Sequence, residues 1–217
     1  MAADAKVLIF AKAPVPGQVK TRLAKVYTTE AAAMLHAALT ERALETALSS
    51  GLDVVLFAAP DASHPWFATC AEDFGVTIDQ QLRDADLGER MLDALDRTLR
   101  GTSLTIIIGA DCPALTAKHL HLVLATFQVE QCDIVLIPAE DGGYVLIAAR
   151  RTHPEMFKDI AWGTDTVLAQ QRAALRAAGL TWTELETLWD VDRPEDLPRL
   201  RALKPPLDFT LPSSEQW

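Results

Sequence analysis

Short apolar runs alternate with segments of helical period along almost the whole chain. This alternation limits the possible folds more than any other feature. Lys6–Ala11, Asp53–Ala59, Gly75–Asp79, Leu104–Gly109, Asp133–Pro138, Tyr144–Ala149 and Thr181–Leu188 read as seven strands. Leu104–Gly109 (LTIIIG) is apolar and β-branched throughout, as a strand covered on both faces should be. Between the strands, Thr28 or Thr29 caps a helix whose Leu35, Leu39, Ala43 and Ala47 recur every fourth residue and which stops at Gly51. Leu87–Arg100 closes at Gly101, a helix from Thr116 runs to about Gln131, and Thr164–Ala178 closes at Gly179. His64–Phe74 and Pro194–Leu203 read as shorter helices, the latter with proline in its first turn. Strand–helix alternation of this kind predicts an α/β sandwich around a mostly parallel sheet.

A length of 217 residues fits one domain, expected over residues 1–203. Lys204–Trp217 is rich in proline and serine and is expected to be an extended or disordered tail, with Trp217 free to dock. The formal charge of −10 argues against a nucleic-acid polymer as partner, because such binding depends on neutralising many phosphates. Three widely spaced cysteines, no signal-like leader and no long apolar run predict a cytoplasmic protein without a membrane span.

In a sheet of this type ligands bind beyond the carboxyl ends of the strands, so the polar residues there carry the functional information. Lys12, Lys20 and Arg22 follow the first strand, Asp61 the second, Gln81 the third and Asp111 the fourth. Asp141, Gly142 and Gly143 lie between the fifth and sixth, and Asp190 and Asp192 follow the seventh. In an acidic chain, the basic loop around Lys20 calls for an anionic partner, and phosphate is the obvious one. Gly17–Arg22 (GQVKTR) is not an NTPase phosphate loop: Val19 stands where that motif needs glycine, and Pro14 and Pro16 stiffen the approach. Charge-assisted bonds from Lys20 and Arg22 could each contribute about 1.5–3 kcal/mol to holding a triphosphate.

Asp111 follows Gly109-Ala110, small residues that let a ligand approach the backbone. Its carboxylate suits Mg²⁺, which needs only one or two protein carboxylates beside substrate phosphates; alternatively it caps a turn. Asp190-Val191-Asp192 at a strand end would put both aspartates on one face, and Asp192 could either join Asp111 at a metal or cap the last helix. Gly142-Gly143 permits close backbone approach to a ligand or simply makes a hairpin turn. His119 and His121, two apart on a helix, point apart and cannot chelate together. Cys112 has no base nearby in sequence and is not expected to be a nucleophile.

FAKAPVPGQVKTRL (from Phe10), DLGERM (Asp86–Met91), GADCPALT (Gly109–Thr116), DGGYVLI (Asp141–Ile147), WGTDTVL (Trp162–Leu168) and DVDRPEDL (Asp190–Leu197) occur in this order. Together they resemble a bacterial family of glycosyltransferase-A-like proteins. The chain is similar to the wider nucleotide-diphospho-sugar transferase superfamily, which includes 2-phospho-L-lactate guanylyltransferase and the guanylyltransferase that makes molybdopterin guanine dinucleotide. The resemblance implies a Rossmann-like three-layer α/β/α sandwich. It implies that Lys12, Gly17, Lys20 and Arg22 hold nucleotide phosphates, and that Gln81 and Gly88 lie near the base. It further implies that Asp111 and Asp192 bind Mg²⁺ or Mn²⁺, and that Gly143, Trp162 and Thr164 face the acceptor or sugar. Arg83–Asp86 departs from the family pattern in lacking a glycine.

Three functions compete. A nucleotidyltransferase would move NMP from an NTP to a small phosphorylated or hydroxylated acceptor, with Lys20, Arg22 and Asp111 assisting the loss of pyrophosphate. A glycosyltransferase would use a nucleotide-sugar, whose nucleoside diphosphate leaving group makes less use of the basic loop. A nucleotide-binding protein would do no chemistry.

Overall fold

The computed structural model describes residues 4–207 and Phe209. Its strands are β1 (Ala5–Lys12), β2 (Asp53–Ala59), β3 (Thr77–Gln80), β4 (Leu104–Gly109), β5 (Ile134–Pro138), β6 (Tyr144–Ala149) and β7 (Trp182–Glu184). Its α-helices are α1 (Thr29–Leu48), α2 (Pro65–Phe74), α3 (Leu87–Leu99), α4 (Ala117–Val129), α5 (Val167–Ala177) and α6 (Leu197–Arg201). The strands form one sheet in the order β3-β2-β1-β4-β6-β5-β7. All pairings are parallel except those of β6, which runs antiparallel between β4 and β5.

Alternation along each strand builds the three layers. Val7, Ile9 and Ala11 of β1 join Ile106 and Ile108 of β4 under α1, α2 and α4, where Leu44, Phe67 and Val123 meet them. Leu8 and Ile107 face the other way, towards Met91 and Leu95 of α3 and Leu175 of α5. Both sheet faces are therefore covered, and the strands are apolar on both. A third cluster packs Leu23, Tyr27 and Leu35 against Val191, Leu197 and Leu200, fixing the chain's last segment to α1. The fold is the expected mostly parallel α/β/α sandwich. No helix among the described residues is long and apolar enough to cross a membrane.

The helix starts follow local chemistry. The Thr28 hydroxyl accepts from the Ala31 amide at 3.2 Å. Asp86 and Glu89 cap α3 reciprocally, at 2.8 Å and 2.9 Å. Three expectations shift. α5 begins at Val167 rather than Thr164, because Thr164 spends its hydroxyl on the Ala161 carbonyl at 2.8 Å. A single 3₁₀ turn at Thr21–Leu23 was not foreseen. β7 spans only three residues instead of Thr181–Leu188; beyond Glu184 the chain still follows β5, with Leu188 N–H donating to the Pro138 carbonyl at 2.9 Å, but no longer as a regular strand. Asp190 and Asp192 therefore lie in an irregular segment beyond a strand. Asp208 and residues 210–217, including the tail's Trp217, lie outside the described residues.

Candidate active site

The parallel strands β1, β2, β3, β4 and β5 deliver their carboxyl ends to one edge, and the turn between β5 and β6 opens on the same edge. The basic loop leaves β1 there. Ala13 N–H bonds the Ala59 carbonyl at 2.8 Å, and Gly17 turns the chain at φ +77°. Lys20 then adopts a left-handed backbone, φ +50°, uncommon for a residue with a Cβ. That conformation, anchored by buried Val19 and Leu23, turns the lysine inward. Its side chain is only 3% exposed, and Nζ lies 2.7 Å from Asp111 Oδ1. The ammonium's aligned donation is to the Val191 carbonyl, so the contact with Asp111 is a charge pair rather than a directed hydrogen bond. Arg22, half exposed, pairs with Asp192 and reaches to 3.5 Å from the Gly163 carbonyl. The two cations are thus paired with the very carboxylates expected to hold a metal.

Asp111 is anchored on one side and open on the other. Oδ1 is buried without an aligned donor, while the side chain as a whole is 45% exposed. Burial works against its charge, but Lys20 and His36 outweigh burial and hold the carboxyl well below the usual range. His36 is buried on α1, with Nδ1 3.8 Å from Asp111 Oδ1 and Nε2 3.0 Å from the Lys12 carbonyl. It ties α1 to both β1 and the carboxylate.

Two cavities meet over this edge and share Phe10, Leu87 and Gly109. The polar one, about 380 Å³, is lined by Lys12, Lys20, Arg22, Arg90, Asp111 and Asp192 among others. Gln81 closes its floor, buried, with Nε2 donating to the Phe57 carbonyl at 2.7 Å. The apolar one, about 210 Å³, is lined by Gly143, Trp162 and Thr164 together with Tyr144 and Val167. The residues expected at phosphate, base and acceptor therefore fall around one cleft, with two exceptions. Gly17 shapes the loop without lining the cleft. Gly88 serves packing: a Cβ there would stand 2.8 Å from Phe157 Cβ and 2.9 Å from Trp162 Cζ2. In the stretch before Leu87 that lacks a glycine, Asp84 itself takes φ +53°.

Carboxylates crowd the far rim. Asp190 is pushed up to about 6 by burial and by the charges of Asp141 and Asp111. Among the described residues no three His, Cys, Asp or Glu side chains are grouped to hold a metal ion. Asp111 nevertheless fits a Mg²⁺ that keeps several waters and takes phosphate oxygens as its other ligands, since its side chain stays 45% exposed to the cleft while Oδ1 faces Lys20 and His36. Asp192 could join it only by leaving Arg22. Asp190, His36 and Arg90 were not picked out as site residues from sequence. His36 carried the one legible signal, a histidine on the apolar face of a helix.

Other residues stay outside. His119 Nε2 meets Glu186 at 3.0 Å and His121 Nε2 meets the Ser50 carbonyl at 2.9 Å, in separate places. Asp61 pairs with Arg83 at 3.3 Å. Burial pushes the Cys112 thiol up to about 12, which leaves no thiolate nucleophile at neutral pH.

Residues 42–164 match the family model described as "Uncharacterized protein conserved in bacteria (DUF2064)". A proposed nucleotide-diphospho-sugar transferase from Desulfovibrio desulfuricans is 29% identical, with a TM-score of 0.81 over 92% of this chain and 88% of that one. A cytidylyltransferase from Leptospira borgpetersenii shares the fold at 16% identity and TM-score 0.58, over 92% of this chain and 87% of its own. So does glucosyl-3-phosphoglycerate synthase from Mycobacterium tuberculosis, solved with Mn²⁺, UDP and glucosyl-3-phosphoglycerate, at 11% identity and TM-score 0.55, over 92% of this chain and 76% of its own. No curated protein matches the sequence.

Proposed function

The chain belongs to the bacterial DUF2064 family, and from that premise we propose that it is a transferase acting on nucleotides, specifically a metal-dependent nucleotidyltransferase that releases pyrophosphate from an NTP. The observation that carries this reading is the cationic wall of the polar cavity, where Lys12, Lys20, Arg22 and Arg90 stand around one carboxylate pair. A triphosphate brings enough charge to take Arg22 from Asp192 and to share Lys20 with Asp111. Mg²⁺ or Mn²⁺ held by Asp111, with Asp192 as its partner once released, would neutralise phosphate oxygens.

The chain's own residues then position and stabilise. Lys12 and Arg90 flank the phosphates, and Gln81 offers an amide at the floor for the base. Arg22 meets the charge that builds on the leaving pyrophosphate. The acceptor oxygen bonds to the α-phosphorus, the bond to the α–β bridging oxygen breaks, and pyrophosphate leaves with the electron pair. The proton of an acceptor hydroxyl passes to solvent. Glycosyl transfer from a nucleotide-sugar is the second reading; it is favoured by the adjoining apolar cavity, which is large enough for a sugar ring.

The test is a thermal-shift screen of NTPs and nucleotide-sugars with Mg²⁺, Mn²⁺ or EDTA. A ligand at 100 times its Kd stabilises a fold by about 2.7 kcal/mol. We expect the largest shift from one NTP with metal, reduced in Arg22→Gln. A shift from nucleotide-sugars with none from any NTP would replace nucleotidyl by glycosyl transfer.

A further inference from the structure

We infer that the apolar half of the cleft takes the body of an uncharged alcohol as acceptor and excludes phosphorylated compounds. The inference rests on the reading of the cleft as a transferase site and narrows its acceptor. The cavity, about 210 Å³, is somewhat larger than the roughly 150 Å³ that accommodates a benzene ring. Its walls include Phe10, Met91, Tyr144, Ile147, Trp162 and Val167, and among the described residues no Lys, Arg or His lines it. The Tyr144 hydroxyl is already committed, donating to Gln171 Oε1 at 3.1 Å. Among the described residues its one charged side chain is Asp141, at the rim, which accepts from the Gly143 amide at 2.9 Å.

A phosphate group placed here would lose its water, gain no cation and face a carboxylate, which is unfavourable on each count. An apolar ring loses nothing by entering. The four cations lie across the boundary formed by Phe10, Leu87 and Gly109, around the nucleotide's half. Arg22 reaches to 3.5 Å from the Gly163 carbonyl, and it is paired with Asp192. The acceptor oxygen thus reaches the phosphates at the boundary while its body stays among hydrocarbon.

Ligand-observed NMR on the full chain at neutral pH, titrating benzyl alcohol and benzyl phosphate, tests this. Only binding removed by Thr164→Trp, which builds an indole into the cavity mouth, is counted, so phosphate captured by the polar half does not register. Benzyl alcohol should bind at least tenfold more tightly than benzyl phosphate, and Thr164→Lys should reverse that order. Equal or tighter binding of the phosphate ester in the unmodified protein, or no Thr164→Trp-sensitive binding of the alcohol, overturns the inference. The NTP thermal shift, read on the same protein, separates the two claims. Alcohol preference without binding of any NTP or nucleotide-sugar removes the transferase reading alone; NTP binding with phosphate-ester preference removes only the acceptor class.

Discussion

Asp111 keeps its charge because Lys20 and His36 face one of its oxygens while the cleft receives the other. Its folded pKa is depressed, so it contributes stability above the unfolded value near pH 4, and that stability is lost as pH falls below it. Lys20→Met should therefore destabilise the protein at pH 7 by about 1–3 kcal/mol and flatten the loss of stability below about pH 4, in urea titrations at several pH values. Asp190 has the opposite sign. Its folded pKa, about 6, is raised, so its contribution is fully present below about pH 4 and is lost as pH rises through 6. Asp190→Asn should be more stable than the unmodified protein at pH 7.5, by about 1–3 kcal/mol, and no more stable at pH 4. Equal stabilities at pH 7.5 would show that the crowding of Asp141, Asp111 and Asp190 costs nothing. At this scale the sequence was legible in residue type but not in pairing. Lys20 and Arg22 read as cations awaiting phosphate, yet they meet carboxylates 91 and 170 residues away, and spacing along a chain carries no trace of such partners.

Turns and helix ends decide how the two cavities are held. Gly142 takes φ +92°, and a Cβ there would stand 2.1 Å from the Asp165 carbonyl oxygen. Leu168 N–H bonds the Gly142 carbonyl at 2.8 Å, so the β5–β6 turn and the start of α5 are stitched together at this glycine. Gly142→Ala should cost about 3 kcal/mol or more, read as a fall in denaturation midpoint, because backbone rather than a flexible side chain must move. Strand and helix identities were legible because apolar runs and capping residues are local signals. β7 was overread: Thr181–Leu188 has the composition of a strand, but only three of its residues pair regularly with β5. Gly142-Gly143 makes the turn between β5 and β6, and the close approach at Gly142 is to the Asp165 backbone.

Across the whole molecule, a net charge of −10 surrounds one cationic wall. Nucleotide binding should therefore depend on that wall alone and weaken with salt, since partly exposed charges such as Arg22 are screened. Raising NaCl from about 0.05 M to 0.5 M should lower NTP affinity several-fold by calorimetry, and EDTA should abolish most of what remains; affinity indifferent to both would exclude a triphosphate–metal complex as ligand. The α/β/α layering was legible because it follows from which strand residues are apolar on both faces. The order of strands was not, because it depends on contacts remote in sequence, above all the antiparallel entry of β6 between β4 and β5.

The ion pairs of Lys20 and Arg22 have a temporal consequence. Arg22 waits for Asp192, and Lys20 for the Val191 carbonyl, partners separated by 170 and 171 positions. A chain emerging from the ribosome displays its basic loop long before it gains these partners. Synthesis must pass residue 192 before the loop is locked, so the growing polypeptide cannot assemble a working centre from its first strands alone.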